Sequence, residues 1–188
     1  MPVEVALFIL AVAVLFGTAI SILVSTLRTG SPPMPSGPAL RRKVVAMIAA
    51  ADIPDGVIYD LGSGWGGLAR AVARAHPGRD VVGLEGSFVP WCVSRIGRAI
   101  FGPSTLRFRR ADFTKADLSD AAVAVCYLSG DTLRRVAPDL ERRLPPGCVI
   151  VSAMFAWPGR DPAAAERAGD LFRSPVYLYR LAQGPAER

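Results

Sequence analysis

Lysine, cysteine and histidine are scarce in this chain, and each scarcity closes a door. Lys43 and Lys115 are the only lysines among 22 basic residues; the rest are arginines, scattered and not interleaved with aromatics. That distribution excludes the stacking-plus-charge pattern of single-strand nucleic-acid binders. The formal charge of +6 reads instead as an arginine-rich composition together with a basic flank beside an apolar segment. The three cysteines, Cys92, Cys126 and Cys148, lie far apart, and no C-x-x-C occurs. A disulfide framework and a zinc site are both excluded on that spacing, which leaves buried small hydrophobes in a reducing compartment. His76 is the single histidine and precedes Pro77, at a helix end where a cation would suit the dipole. There is neither an internal repeat nor a low-complexity segment.

Uncharged runs long enough to cross a membrane are absent too, except at the start. "ALFILAVAVLFGTAISILVSTL", residues 6–27, carries no charge. A helix of that length measures about 33 Å, against about 30 Å for a hydrocarbon core. The residues before it include Glu4 and no lysine or arginine, so the segment lacks the positive n-region of a cleaved signal peptide. Residues 1–28 are therefore expected to be a transmembrane anchor. Arg28, Arg41, Arg42 and Lys43 follow it, which places the C-terminal side in the cytoplasm of a single-pass cell-membrane protein. Gly17, Ser21 and Ser25 fall at helical spacing and could meet a partner helix. "TGSPPMPSGP", residues 29–38, is a stiff non-helical linker, with Met34 a candidate for lining a substrate entrance. One domain follows, residues 39–188.

That domain alternates. An amphipathic helix spans "ALRRKVVAMIAAADI". Strands are expected at 57–62, 80–86, 105–112, 121–130, 147–155 and 175–182, with helices at 66–76, 88–101 and 131–143 between them. The run 121–130 is almost wholly apolar, as a central strand would be. The pattern predicts an α/β fold, a doubly wound and mostly parallel Rossmann-like sheet.

In such sheets ligands bind beyond the carboxyl ends of the strands. Here "VIYDLGSGWGGLARAVARA", residues 57–75, runs from an apolar strand into glycines at 62, 64, 66 and 67 and then into a helix. Three acids fall at successive strand ends: Asp60, Glu85 and Asp112. The glycines let the backbone approach a ligand. Glu85 lies where an acid accepts ribose hydroxyls. Asp112 could accept from an adenine amine, and Asp60 could organise the loop and face a positive group. Two cofactors suit this outline, a nicotinamide dinucleotide and S-adenosylmethionine. An acid two residues before the first glycine would sit against a pyrophosphate, whereas a sulfonium and an ammonium favour it. The residues thus favour S-adenosylmethionine, with no metal.

Asp60-Leu61-Gly62-Ser63-Gly64-x-Gly66 resembles motif I of class I S-adenosylmethionine-dependent methyltransferases. The wider chain, from about Pro32 to Arg180, is similar to the membrane-anchored lysine methyltransferases that include the ATP synthase c-subunit lysine methyltransferase, and to their bacterial relatives. "PPMP", "GLEGSFVPWCVSR", "FRRADFTKADLS", "RRLPPGCVIVSAMFAWPG" and "VYLYR" carry that likeness. Trp65 and Gly67 stand where an acid and an arginine are expected, and Gly86-Ser87 where asparagine-proline is expected; these departures touch the pocket rim. The resemblance implies a cofactor-binding set of Asp60, Gly62, Ser63, Gly64, Gly66, Glu85, Asp112 and Phe113. It implies that the residues after the fourth strand face the methyl, which makes Tyr127, Ser129 and Asp131 the catalytic candidates. Ser129 and Asp131 could equally cap the following helix. The Asn/Asp-Pro-Pro-Tyr/Phe run of amide and exocyclic-amine methyltransferases is absent, which argues against nucleic acid as partner. Trp65 is a lid or a packing residue, and Trp91 and Trp157 read as core or rim. The implied activity is methyl transfer to a lysine of a membrane protein. The alternatives are a lipid-soluble small molecule as acceptor, or a non-catalytic scaffold.

Overall fold

A computed structural model describes residues 2–29 and 35–182, with the side chains of Val14, Thr18 and residues 21–29 outside the description. Helix α1 (Val3–Thr29) is continuous through the uncharged run. Among the described residues no helix is long and apolar enough to cross a membrane, so the expected span is not part of the architecture seen here. Gly17 is exposed, with nothing near a hypothetical Cβ, while the side chains of Ser21 and Ser25, and Met34 altogether, lie outside what is described.

Helix α2 (Pro38–Ala50) opens with proline at its first position, where the missing N–H costs nothing. Leu40, Val44, Met47 and Ile48 recur at helical spacing and are buried against α3 and the sheet. From there strands and helices alternate: β1 (Val57–Leu61), α3 (Gly67–Ala75), β2 (Val81–Glu85), α4 (Phe88–Phe101), β3 (Leu106–Arg110), β4 (Ala121–Cys126), α5 (Gly130–Arg143) and β5 (Val149–Ala153). Two antiparallel strands, β6 (Ala164–Arg167) and β7 (Pro175–Arg180), complete the chain. The sheet order is β3-β2-β1-β4-β5-β7-β6, with β1 to β5 all parallel. Strand β4 is central and buried along its whole length, as its composition predicts.

Each face of the sheet carries its own core. Ile58, Val81, Val123 and Val125 pack against α2 and α3 on one side. Tyr59, Leu61, Val82, Leu84 and Cys126 pack against α5 and Trp157 on the other. The chain leaves β1 towards β2 on one side and reaches β4 on the other. The gap between the carboxyl ends of β1 and β4 is therefore the topological switch point.

Three expectations need correction. Strand β6 was not anticipated: it is four exposed residues, Ala-Ala-Glu-Arg, with no apolar alternation to betray it. It is held by its ladder to β7 and by Lys43 Nζ against Glu166, 2.5 Å away. Cys126 and Cys148 are buried and burial pushes both thiols up, Cys148 to about 12, but Cys92 on α4 is only half-buried. His76 does end α3, yet burial and then Arg79 lower its pKa, which disfavours the cation that would suit the helix end. Trp157 is core, its indole N–H donating to Glu141 at 2.6 Å, and Trp91 is a half-buried rim residue.

Candidate active site

The turn after β1 is built from backbone that only glycine adopts at ease. Gly64 and Gly66 have φ of 52° and 74°. A Cβ on Gly66 would lie 2.5 Å from the Phe108 ring, whereas one on Gly64 would project into open space. Gly66 packs the turn down on the domain, and Gly64 leaves room in front of it. The turn runs directly into α3, and Asp60 ties the two together: its Oδ2 accepts from the Ala69 amide at 3.1 Å.

Asp60 is buried, and burial pushes its carboxyl up to about 7; the Ala69 amide opposes that shift and Glu85 adds to it. Glu85 is buried as well, at the end of the adjacent strand. Its Oε2 accepts from the Gly64 amide at 2.8 Å and its Oε1 from the Ser87 amide at 2.7 Å. Each oxygen keeps a lone pair for a further donor. Among the described residues neither acid forms an ion pair. Between them the Ser63 hydroxyl is buried without a partner.

Asp112 lies just past β3 and is exposed. Its Oδ1 accepts from the Thr114 amide at 2.9 Å and the Thr114 hydroxyl at 2.6 Å, which closes a tight turn carrying Phe113. Arg143 holds that turn from α5, donating to the carbonyls of Phe113, Thr114 and Ala116.

Asp60, Ser63, Gly64, Glu85, Asp112 and Phe113 line one cleft of about 1200 Å³ at the switch point. The eight sequence-predicted cofactor residues do not behave alike. Asp60, Gly62, Ser63, Gly64, Glu85, Asp112 and Phe113 line the cleft, and Gly66 stands outside the lining as the N-cap of α3. Tyr127 and Ser129 line it from the end of β4, but Asp131 does not; its carboxylate pairs with Arg134 on the outside of α5. Ser129 caps α5, accepting from the Thr132 amide at 3.3 Å and donating to the Thr132 hydroxyl at 3.0 Å. Burial raises the Tyr127 phenol, and Asp170 adds to it. Trp65 stands in the cleft wall.

Leu128, among the residues expected to face the methyl, lines the cleft too, while the sequence reading missed Arg41, Arg135, Met154 and Phe155, which also line it. Met154 and Phe155 follow β5, whose carboxyl end borders the switch point. That topology, rather than any motif, is the signal that locates them. Met154 holds a left-handed φ of 74° while its amide donates to the Pro175 carbonyl at 2.8 Å, so the turn is fixed by β7.

The donor set suits a cationic ligand. Two buried acids without cationic partners face the space in front of Gly64, and an anionic pyrophosphate there would be repelled by both. A mostly parallel sheet with acids and a glycine turn at its switch point is the arrangement of class I S-adenosylmethionine-dependent methyltransferases. The chain belongs to the ANTKMT methyltransferase domain family, whose model matches residues 60–164. It is similar to a protein-lysine N-methyltransferase of Saccharolobus islandicus, 27% identical over 153 residues, covering 79% of this chain and 94% of that one. Among solved structures it is similar to an RNA methyltransferase from Salinibacter ruber in complex with S-adenosyl-L-homocysteine. That match has a TM-score of 0.69 and 26% identity, over 82% of this chain and 98% of the other. The fold also matches the putative methyltransferase yhhF from Escherichia coli, with a TM-score of 0.63 and 14% identity over 81% and 90% of the two chains. The protein is a methyltransferase and its cofactor is S-adenosylmethionine.

Proposed function

We propose that this methyltransferase acts on a lysine side chain of a membrane protein, from a catalytic domain held at the cytoplasmic face by residues 6–27. The observation that carries the acceptor class is the part of the cleft formed by the residues after β4 and β5. Tyr127, Leu128, Met154 and Phe155 line it, and an apolar and aromatic wall suits the four-carbon stem of lysine. The Saccharolobus islandicus relative, described as a protein-lysine N-methyltransferase, supports the same reading. The anchor rests on the uncharged run 6–27, the continuous helix α1 and the basic residues that follow. Confinement at a bilayer raises the effective concentration of membrane-bound acceptors.

The bound cofactor supplies a methyl carbon already activated by its sulfonium. The chain's own residues then have three tasks. Asp60 and Glu85 provide negative charge and acceptors for the cationic and ribose parts, while the turn at Asp112 and Phe113 is placed to receive the base. The apolar wall excludes water and disfavours the charged ammonium, since burial lowers a lysine pKa towards the neutral nucleophile. The Tyr127 hydroxyl orients the amine. Alignment of acceptor and methyl can contribute about 7–11 kcal/mol of barrier lowering. Ser129 is assigned to the helix cap rather than to proton transfer, and Asp131 to the surface.

One observation favours a second reading. The cleft volume, about 1200 Å³, exceeds that of a typical single-ligand pocket, and a lipid-soluble small molecule could fill the remainder. The Salinibacter ruber neighbour raises RNA as a third acceptor class, against which stands the run Tyr127-Leu128-Ser129-Gly130 after β4. The test is to incubate the purified full chain with methyl-labelled S-adenosylmethionine and solubilised membranes from cells lacking the gene. Label is expected in methyl-lysine after acid hydrolysis of protein. Label in the organic extract or in RNA would overturn the lysine assignment.

A further inference from the structure

Helix α4 is inside out. A surface helix ordinarily turns its apolar stripe to the core. On α4 the fully buried residues are Pro90 and Ser94, and Gly97 lies beneath the Arg70 guanidinium. Val93, Ile96 and Ile100, spaced three and four apart, form one stripe and are 42%, 60% and 64% exposed. Phe101 at the helix end is 67% exposed. The domain has no packing use for this face, and apolar groups gathered on one surface of a small domain mark an interaction site.

The charge around the stripe is of one sign. From Gly86 to Ala111 the chain holds no aspartate or glutamate; of its five arginines Arg95, Arg98 and Arg110 lie on the α4 side, while Arg107 and Arg109 alternate to the opposite face of β3. Arg95 lies over the Trp91 ring at 5.3 Å and Arg110 over the Phe88 ring at 5.3 Å; Arg74 reaches across from α3 to the Phe101 carbonyl at 2.8 Å. Among the described residues, Arg95, Arg98, Arg107, Arg109 and Arg110 make no ion pair with an acid. A second copy docked by two-fold symmetry would set this patch against itself and oppose like charges. An anionic bilayer surface meets both features at once: apolar side chains enter the headgroup–acyl boundary, and arginines meet the phosphates.

We propose that the outward face of α4 docks onto an anionic lipid surface through Val93, Ile96, Ile100 and Phe101, with Arg95 and Arg98 at the headgroups. Helix α1 runs beside α4, so the contact continues the surface of the proposed anchor but does not require α1 to span the bilayer. The consequence is orientation. Phe88 at the start of α4 and Arg110 at the end of β3 also line the cleft, so docking this face presents the cleft mouth to the bilayer plane.

The test uses the full chain with Cys92→Ser and Ile100→Cys, labelled at position 100 with an environment-sensitive fluorophore. It is reconstituted into phosphatidylcholine vesicles with or without phosphatidylglycerol, each carrying brominated acyl chains as quencher. An Asp161→Cys label, on an exposed loop, serves as the reference. Unchanged S-adenosylmethionine affinity establishes that each labelled chain is folded. Quenching at position 100 is expected to be several-fold stronger with phosphatidylglycerol, to fall to the Asp161 level in an Arg95→Glu/Arg98→Glu variant, and to be absent at position 161. Equal quenching at positions 100 and 161, indifference to phosphatidylglycerol, or burial of the label that tracks protein density rather than lipid would overturn the proposal. Alkaline carbonate extraction reads the anchor separately. A chain released by carbonate but quenched at position 100 refutes the span and upholds this contact; a carbonate-resistant chain with an unquenched label does the reverse.

Discussion

Asp60 is asked to be buried and charged at once. With no cation beside it, burial pushes its carboxyl to about 7, so the folded domain binds this proton more tightly than the unfolded chain does. The sign of the linkage follows: stability of the cofactor-free protein falls as pH rises from the ordinary carboxylate range towards 7 and levels off above it. A cationic ligand favours the ionised form and releases the proton. The dissociation constant for S-adenosylmethionine should therefore fall with rising pH below about 7, by up to about tenfold per unit. Calorimetry at pH 6 and pH 8, in buffers of different ionisation enthalpy, reads both the affinity and the proton. Asp60→Asn keeps an acceptor for the Ala69 amide, so the fold should survive. Its cofactor-free Tm should exceed the parent's at pH 8 more than at pH 5, while its affinity should be weak and nearly independent of pH. An unchanged pH profile in that variant would remove Asp60 from the site.

At the scale of elements, the legible part of the chain was the part with a period. Helix α4 matches its expected limits, Phe88–Phe101, and the parallel strands fall where apolar runs end on glycine or acid. Strand β6 left no trace because its pairing comes from a neighbour 8 (Arg167 with Pro175) to 14 (Ala164 with Leu178) residues along the chain, and nothing in Ala-Ala-Glu-Arg is buried. The site divides the same way. The glycine turn and Glu85 are local chemistry and could be read directly. Arg41, Met154 and Phe155 join the cleft only through the order of strands in the sheet. The orientation of Asp131 was not legible either, since one step around α5 decides whether a side chain faces the cleft or Arg134. Ser129 shows the two kinds of information in one residue, a cleft-lining hydroxyl that is also the cap of α5. Ser129→Ala should cost about 1 kcal/mol of stability through the lost cap, measured by denaturant unfolding, with methyl transfer retained at a temperature where the variant is folded. A loss of turnover at full folding would return Ser129 to the catalytic set.

The whole molecule joins the cleft to helix α1, and none of the described side chains of α1 lines it. Every described residue that lines the cleft lies at Pro35 or beyond. A chain lacking residues 1–28 should therefore fold and bind S-adenosylmethionine with the parent's affinity, as calorimetry would read. Loss of binding in a folded truncation would make α1 part of the site. What the truncation should lose, on the proposed function, is access to its acceptor, because the proposed anchor and the proposed contact of α4 act on where the cleft is held rather than on what it holds. The most direct measurement of the whole account is intact-mass comparison of the membrane proteins of cells with and without the gene. The account predicts a membrane protein heavier by steps of about 14 Da only when the gene is present, because each methyl replaces one hydrogen, with the added mass on lysine in its fragments. Identical masses throughout the membrane fraction, with the methyl recovered on a lipid or an RNA, would contradict it.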